Sequence, residues 1–170
     1  MANDGENARL VDQFLDAIWA ERGLSQNSLE GYRRDLLKLA NQLKKRNRML
    51  VAAGREDLLD LLAEEVAAGK SPRSLSRYLS SYRQFYRWLV RERMISEDPT
   101  ALIESPKLGR GLPKALPEDK VEALLEAPDT GTPLGIRDRA MLELMYATGL
   151  RVSELVGLQL SGLNLNQGVV

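Results

Sequence analysis

Four of the seven prolines crowd into residues 97–117 (Pro99, Pro106, Pro113 and Pro117), together with Gly109 and Gly111. No regular helix or central strand runs through such a stretch, because proline lacks an amide proton and its ring clashes with the preceding turn. The segment therefore predicts an interdomain linker, with the basic Lys107, Arg110 and Lys114 inside it. Residues 1–96 are expected to form one helical domain, and residues 118–170 the opening of a second.

Before the linker the apolar residues recur with a helical period. Ala8 to Arg22 places Leu10, Val11, Phe14, Leu15 and Ile18 on one face, and Gly23 ends it. Asn27 with Glu30 three residues on predicts a capping box for a helix from Ser28 to Arg46. Arg55 to Ala68 is a third helix, with acids in its first turn and Gly69 past its end. Ser71-Pro72, an N-cap followed by proline at the first helical position, opens a fourth that runs to about Arg93.

After the linker, Glu118 to Glu126 and Ile136 to Tyr146 predict helices, with a short one near Arg151 to Val156. The tail LNLNQGVV predicts a strand, a turn at Asn166-Gln167-Gly168 and the start of a return strand. Val169 and Val170 are too few to complete that hairpin, so the chain is expected to stop inside a structural unit. The fold class is mainly α: a four-helix domain, a linker, and the first part of another domain.

Composition removes most enzyme designs. The chain has no cysteine and no histidine, which excludes disulfides, thiol nucleophiles, Ser-His triads and Cys- or His-ligated metals. No apolar run is long enough for a membrane span, and MANDGENARL lacks the core of a signal peptide. What survives is a helical binding module, or an incomplete piece of an enzyme.

The 24 basic and 24 acidic residues cancel, but they are not mixed. Residues 22–55 carry 9 basic against 2 acidic side chains, and residues 70–93 carry 7 against 1. Between them lie Glu56, Asp57, Asp60, Glu64 and Glu65. Screening over roughly 10 Å makes local charge, not the total, decide what a face attracts. On a helical wheel of the fourth helix, Arg73, Arg77, Ser80, Gln84, Arg87 and Arg91 fall within about 40° of one direction. Leu75, Tyr78, Leu79, Tyr82, Phe85, Tyr86 and Leu89 cluster opposite, with Trp88 at the edge of the basic face. The second helix sets Leu29, Tyr32, Leu36, Leu39 and Leu43 against Arg34, Lys38, Asn41 and Lys45.

A merely solvated face would alternate signs for i,i+4 pairing. These stripes hold almost no acids, which favours nucleic acid: the cations on phosphates, with Ser80, Gln84 and Asn41 reaching base edges in a major groove. The alternative is a helical module whose basic faces meet an acidic protein. The tyrosines, Tyr146 included, are expected in cores with their hydroxyls reaching the surface.

In RDRAMLELMYATGLRVSELVGL, Thr148-Gly149 breaks one helix and Arg151 opens the next, with Glu154 three residues on. Arg151 could join the helix's free amides in binding an anion, or simply pair with Glu154; spacing alone leaves both open. ATGLRVSEL resembles the box holding the first catalytic arginine of the tyrosine site-specific recombinases (the phage integrase family), closely those of the Xer type that resolve chromosome dimers. The similarity extends through LEGYRRDL, SPKLGRGLPKALPEDKVEALLEAP and LNLNQGVV, essentially the whole chain, and the linker is nearer the XerD branch than the XerC branch.

The resemblance implies a SAM-like core-binding domain gripping one side of duplex DNA, then an α+β catalytic domain, the two forming a clamp. In that chemistry, which uses no metal and no cofactor, a tyrosine of that domain attacks a DNA phosphate, leaving a 3′-phosphotyrosyl bond and a free 5′-hydroxyl. Arg151 would hold the scissile phosphate and Glu154 support it. Implied partners are a recombination site with inverted half-sites, an XerC-like recombinase in a heterotetramer, and a DNA translocase of FtsK type. The implied place is the bacterial cytoplasm, on the nucleoid, with no membrane partner. The family's lysine, His-x-x-Arg box and nucleophilic tyrosine would follow Val170, so residues 1–170 alone are expected not to cleave DNA. A naturally short, non-catalytic DNA-binding protein of the same ancestry is the other possibility. Pro117, where Ser or Thr often caps, and Ser161-Gly162, in place of a more usual acidic residue, depart from the pattern.

Overall fold

A computed structural model describes residues 2–107 and 115–159. The chain divides into two compact units, Met1–Arg110 and Gly111–Val170. No strand occurs among the described residues. The expected hairpin at 163–170, Ser161-Gly162 and the linker's Gly109 to Lys114 lie outside them.

The first unit holds α1 (Ala2–Arg22), α2 (Gln26–Lys45), α3 (Arg55–Ala67) and α4 (Pro72–Arg91). α4 begins as its sequence predicts: Pro72 occupies the first turn and Ser71 Oγ accepts from Ser74 N at 3.2 Å. α2 does not. Its N-cap is Ser25, two residues before Asn27, and Ser25 Oγ lies 3.1 Å from Ser28 Oγ and caps no amide. Several Ser and Asn residues compete to start that helix, and local sequence does not rank them.

The core forms where α1 and α4 cross α2. Phe14 is fully buried and meets Phe85 edge-on at 5.4 Å, Tyr32 at 5.9 Å and Trp88 at 5.6 Å. Such edge-to-face and tilted pairs add to what burial alone contributes. Trp88, expected at the rim of the basic face, is only 6% exposed, because Phe14 of α1 covers that flank of α4. The sequence also gave no sign of a 3₁₀ turn at Leu50–Ala52. Both backbone polar groups of buried Leu50 are satisfied by distant side chains: its N–H donates to Asn7 Oδ1 at 3.2 Å, and its carbonyl accepts from Tyr86 Oη at 3.0 Å. The Tyr86 hydroxyl is thus an internal strut, not a group at the surface.

The beginning of the proline-rich segment is seated on this unit. Ile103 is buried in the core and Thr100 is fully buried, its N–H and hydroxyl both on Asp98 Oδ1 at 2.8 and 2.6 Å. Arg83 of α4 donates to the Ile103 carbonyl and, at 2.7 Å, to Ser105 Oγ.

The second unit holds α5 (Glu118–Glu126), α6 (Pro133–Thr148) and α7 (Val152–Val156). α5 starts without a side-chain cap, the amides of Lys120 and Val121 bonding the Pro117 carbonyl. α6 starts where Thr132 Oγ1 accepts from Gly135 N at 3.0 Å. Gly135 is required there, since a Cβ would lie 1.8 Å from the Asp129 carbonyl oxygen. Gly149, at φ +70°, ends α6 in the left-handed conformation that glycine adopts without strain. Tyr146, expected in a core, is 66% exposed. Its neighbours Leu142, Leu144 and Met145 are only half-buried, and Leu155 is the one buried apolar side chain among the described residues of this unit, so no core encloses the ring.

Candidate nucleic-acid interface

Both basic stripes survive folding, but their members differ in freedom. On α2, Arg34, Asn41 and Lys45 are exposed; on α4, Arg73, Ser80 and Arg87 are exposed and Gln84 is half-buried. Among the described residues, Arg34, Lys45, Arg73 and Arg87 make no ion pair. Gln84 and Arg87 line a groove with Arg22 and Glu21 of α1, and Glu21 binds Arg91 at 2.5 Å.

Lys38 and Arg77 are held by buried carboxylates. Lys38 Nζ donates to Glu65 Oε2 at 2.6 Å and to Tyr78 Oη at 3.3 Å. Gln42 Nε2 donates to the other Glu65 oxygen at 2.7 Å. Arg77 Nη1 donates to both oxygens of Asp35, whose side chain is 1% exposed, and Ser81 Oγ donates to Oδ2 at 2.7 Å. The Tyr78 ring carries both cations, Lys38 Nζ 4.6 Å and the Arg77 guanidinium carbon 4.7 Å from its centroid. Sequence reading missed Asp35 and Glu65 as members of this face. A signal existed for Asp35: it is an acid beside Leu36 and Leu39 on the buried arc of α2, where a lone charge requires a partner.

The Glu65–Lys38 pair has a definite pH signature. Burial pushes the Glu65 carboxyl up, but the bonds from Lys38 and Gln42 outweigh it and hold it below its ordinary 4.5. Burial pushes Lys38 down, and the bonds to Glu65 and Tyr78 outweigh it and raise it above 10.5. The lowered carboxyl stabilises the fold above its unfolded value, and that stability is lost as pH falls through the folded value; the raised ammonium stabilises below its unfolded value and loses this as pH rises through the folded one. Urea unfolding is therefore expected to show the largest gap between the parent and Glu65→Gln near neutral pH, closing below about pH 4. A gap that stays constant from neutral to acid pH contradicts the pair.

In the second unit, Arg151 is the N-cap of α7 and its side chain is 81% exposed. Glu154 reaches back, accepting from Arg151 N at 2.8 Å and from Nη1 at 3.1 Å. The backbone bond, then the side-chain bond, hold the Glu154 carboxyl below its ordinary value. Of the two readings that spacing leaves open, the pair with Glu154 is made, and it leaves most of the guanidinium open to solvent. Among the described residues no group of acids is placed to hold a metal ion, and no helix is long and apolar enough to cross a membrane.

Residues 11–93 match the phage integrase N-terminal SAM-like domain, and residues 114–170 match the phage integrase family. The chain is 52% identical to the tyrosine recombinase XerD of Pseudomonas aeruginosa over 161 residues, covering 95% of this chain and 54% of that protein. It is 52% identical to XerD of Xanthomonas axonopodis pv. citri (96% and 54% covered) and 45% identical to XerD of Neisseria meningitidis serogroup B (95% and 54%). It therefore spans about half the length of the curated relatives it matches. The integrase from mycobacterium phage Brujita shares the fold, with a TM-score of 0.56 over 93% of this chain and 51% of its own at 22% identity. With two integrase segments matched in order along its length and XerD relatives at about half identity, this chain belongs to the phage integrase family, the tyrosine recombinases.

Proposed function

We propose that these 170 residues are the DNA-gripping N-terminal part of a XerD-like site-specific recombinase. The observation that carries this is that, on the two basic stripes, four exposed cations make no ion pair among the described residues, Arg34 and Lys45 on α2, Arg73 and Arg87 on α4. They neutralise phosphates, while Asn41 and Gln84 on the same stripes address base edges. Residues 1–96 act as the core-binding domain, 97–117 as the linker and 118–170 as the opening of the catalytic domain. There Arg151 holds the scissile phosphate by charge-assisted hydrogen bonds that strengthen as charge develops, with Glu154 orienting it.

The longer recombinase would break and rejoin DNA through a 3′-phosphotyrosyl link in the cytoplasm, on the nucleoid. It would pair with an XerC-like partner and resolve chromosome dimers under a DNA translocase of FtsK type. Residues 1–170 alone bind without cutting, a reading supported by the lack of any histidine for the family's His-x-x-Arg box.

Fluorescence anisotropy tests the binding, using a duplex with an Xer recombination half-site and a scrambled duplex across a salt series. Six neutralised phosphates give a log–log slope near −5. The expected result is that slope with preference for the half-site. No binding to either duplex at low salt, with affinity for an acidic protein instead, would replace this function by that of a protein-interaction module.

A further inference from the structure

Asp35 is an anomaly on a DNA-facing surface: a carboxylate, almost wholly buried, placed between the two basic stripes. Its geometry suggests a task. Both of its oxygens engage a single nitrogen of Arg77, Nη1, so the carboxylate anchors the guanidinium fork by one prong. The Arg77 side chain is otherwise 49% exposed. It lines a groove between α2 and α4 with Ser28, Gly31, Tyr32 and Ser80. Ser28 and Ser80 are exposed hydroxyl donors, and Gly31 contributes no side chain to obstruct the groove. Ser81, bonded to Asp35 Oδ2, locks the carboxylate from the side of α4.

We infer that this groove is a seat for one phosphodiester of the DNA backbone, formed by the free prong of Arg77 with Ser28 and Ser80, and that Asp35 is the positioning residue that presents Arg77 to it. The seat rests on the duplex binding proposed above. An arginine already fixed at one end loses less rotamer freedom when it meets a phosphate than a solvated one does. The buried acid therefore raises affinity although its charge repels DNA.

That opposition of sign makes the test sharp. In anisotropy titrations of the whole chain on a half-site duplex at 0.1 M salt, Asp35→Asn is expected to weaken binding roughly fivefold to tenfold, since an unanchored arginine must be ordered on binding. Charge alone predicts the reverse, because the substitution removes a negative group. Arg77→Ala is expected to weaken binding about eightfold and flatten the salt slope by about 0.9, the share of one phosphate. Asp35→Asn added to Arg77→Ala is expected to cost nothing further, since the acid acts only through the arginine. Arg77→Lys, which keeps the charge and the bond to Asp35 but lacks the second prong, is expected to bind about as weakly as the alanine variant.

Equal losses from Asp35→Asn with and without Arg77 would mean that Asp35 merely supports the fold and would overturn the seat. So would an Asp35→Asn variant that binds more tightly, or an Arg77→Lys variant that binds like the parent. A parent chain that binds no duplex overturns both the seat and the DNA-binding function. A parent that binds, with additive losses, overturns the seat alone.

Discussion

Phe14→Ala is expected to remove about 3–5 kcal/mol from the stability of the first unit, the range for deleting a large buried aromatic. The ring has no exposed surface and touches Tyr32, Phe85 and Trp88, so it joins α1 to both α2 and α4. The vacated space is lined by other rings, which collapse poorly into a cavity. Domains of this size hold about 5–15 kcal/mol in total, so the variant would retain a small margin or none. Urea unfolding followed by tryptophan fluorescence reads this well. Trp88 is buried against Phe14, whereas Trp19 is 61% exposed and changes little on unfolding. A loss under about 1 kcal/mol would mean that the aromatic cluster is not the centre of the core.

The second large effect is on binding and should leave the fold alone. Replacing Arg34, Lys45, Arg73 and Arg87 together by alanine removes four exposed cations that make no ion pair among the described residues. Each substitution should alter stability by about 0.5 kcal/mol or less. Four lost phosphate contacts should flatten the log–log salt slope by about 3.6 and lower affinity at 0.1 M salt by about three and a half orders of magnitude. Lys38 and Arg77 would remain, so weak, shallow-sloped binding should persist. A loss of less than about tenfold would move the DNA to another face of the molecule. Thermal melts of the same variant separate this outcome from unfolding.

Much of this molecule is legible along the chain. The Ser71-Pro72 cap and the apolar arc of α4 sufficed to place that helix, because a helix start and an amphipathic period are local properties. The Arg151–Glu154 contact was readable as a possibility for the same reason: three residues along a helix start are neighbours in any fold. The two basic stripes were visible as well, since a helix fixes which of its residues share a face before anything packs on it.

What the chain could not show is what comes to meet each face. Asp35 lies 42 residues from Arg77, and Glu65 lies 27 from Lys38. From the sequence, the acidic block at 56–69 separates two basic stretches; in the fold, four of its members pair with cations of the first, Glu65 with Lys38, Glu64 and Asp60 with Arg46, and Asp57 with Arg48. Trp88 sits at the edge of a wheel until α1 lays Phe14 against it, and Tyr146 is 66% exposed because no core encloses it among the described residues of its unit. Local sequence determined the helices, their polar and apolar sides, and the family. Tertiary packing alone decided which cations were left free for a partner and which were anchored from beneath, because burial forces every charge it encloses to find an opposite one, however far away in the chain.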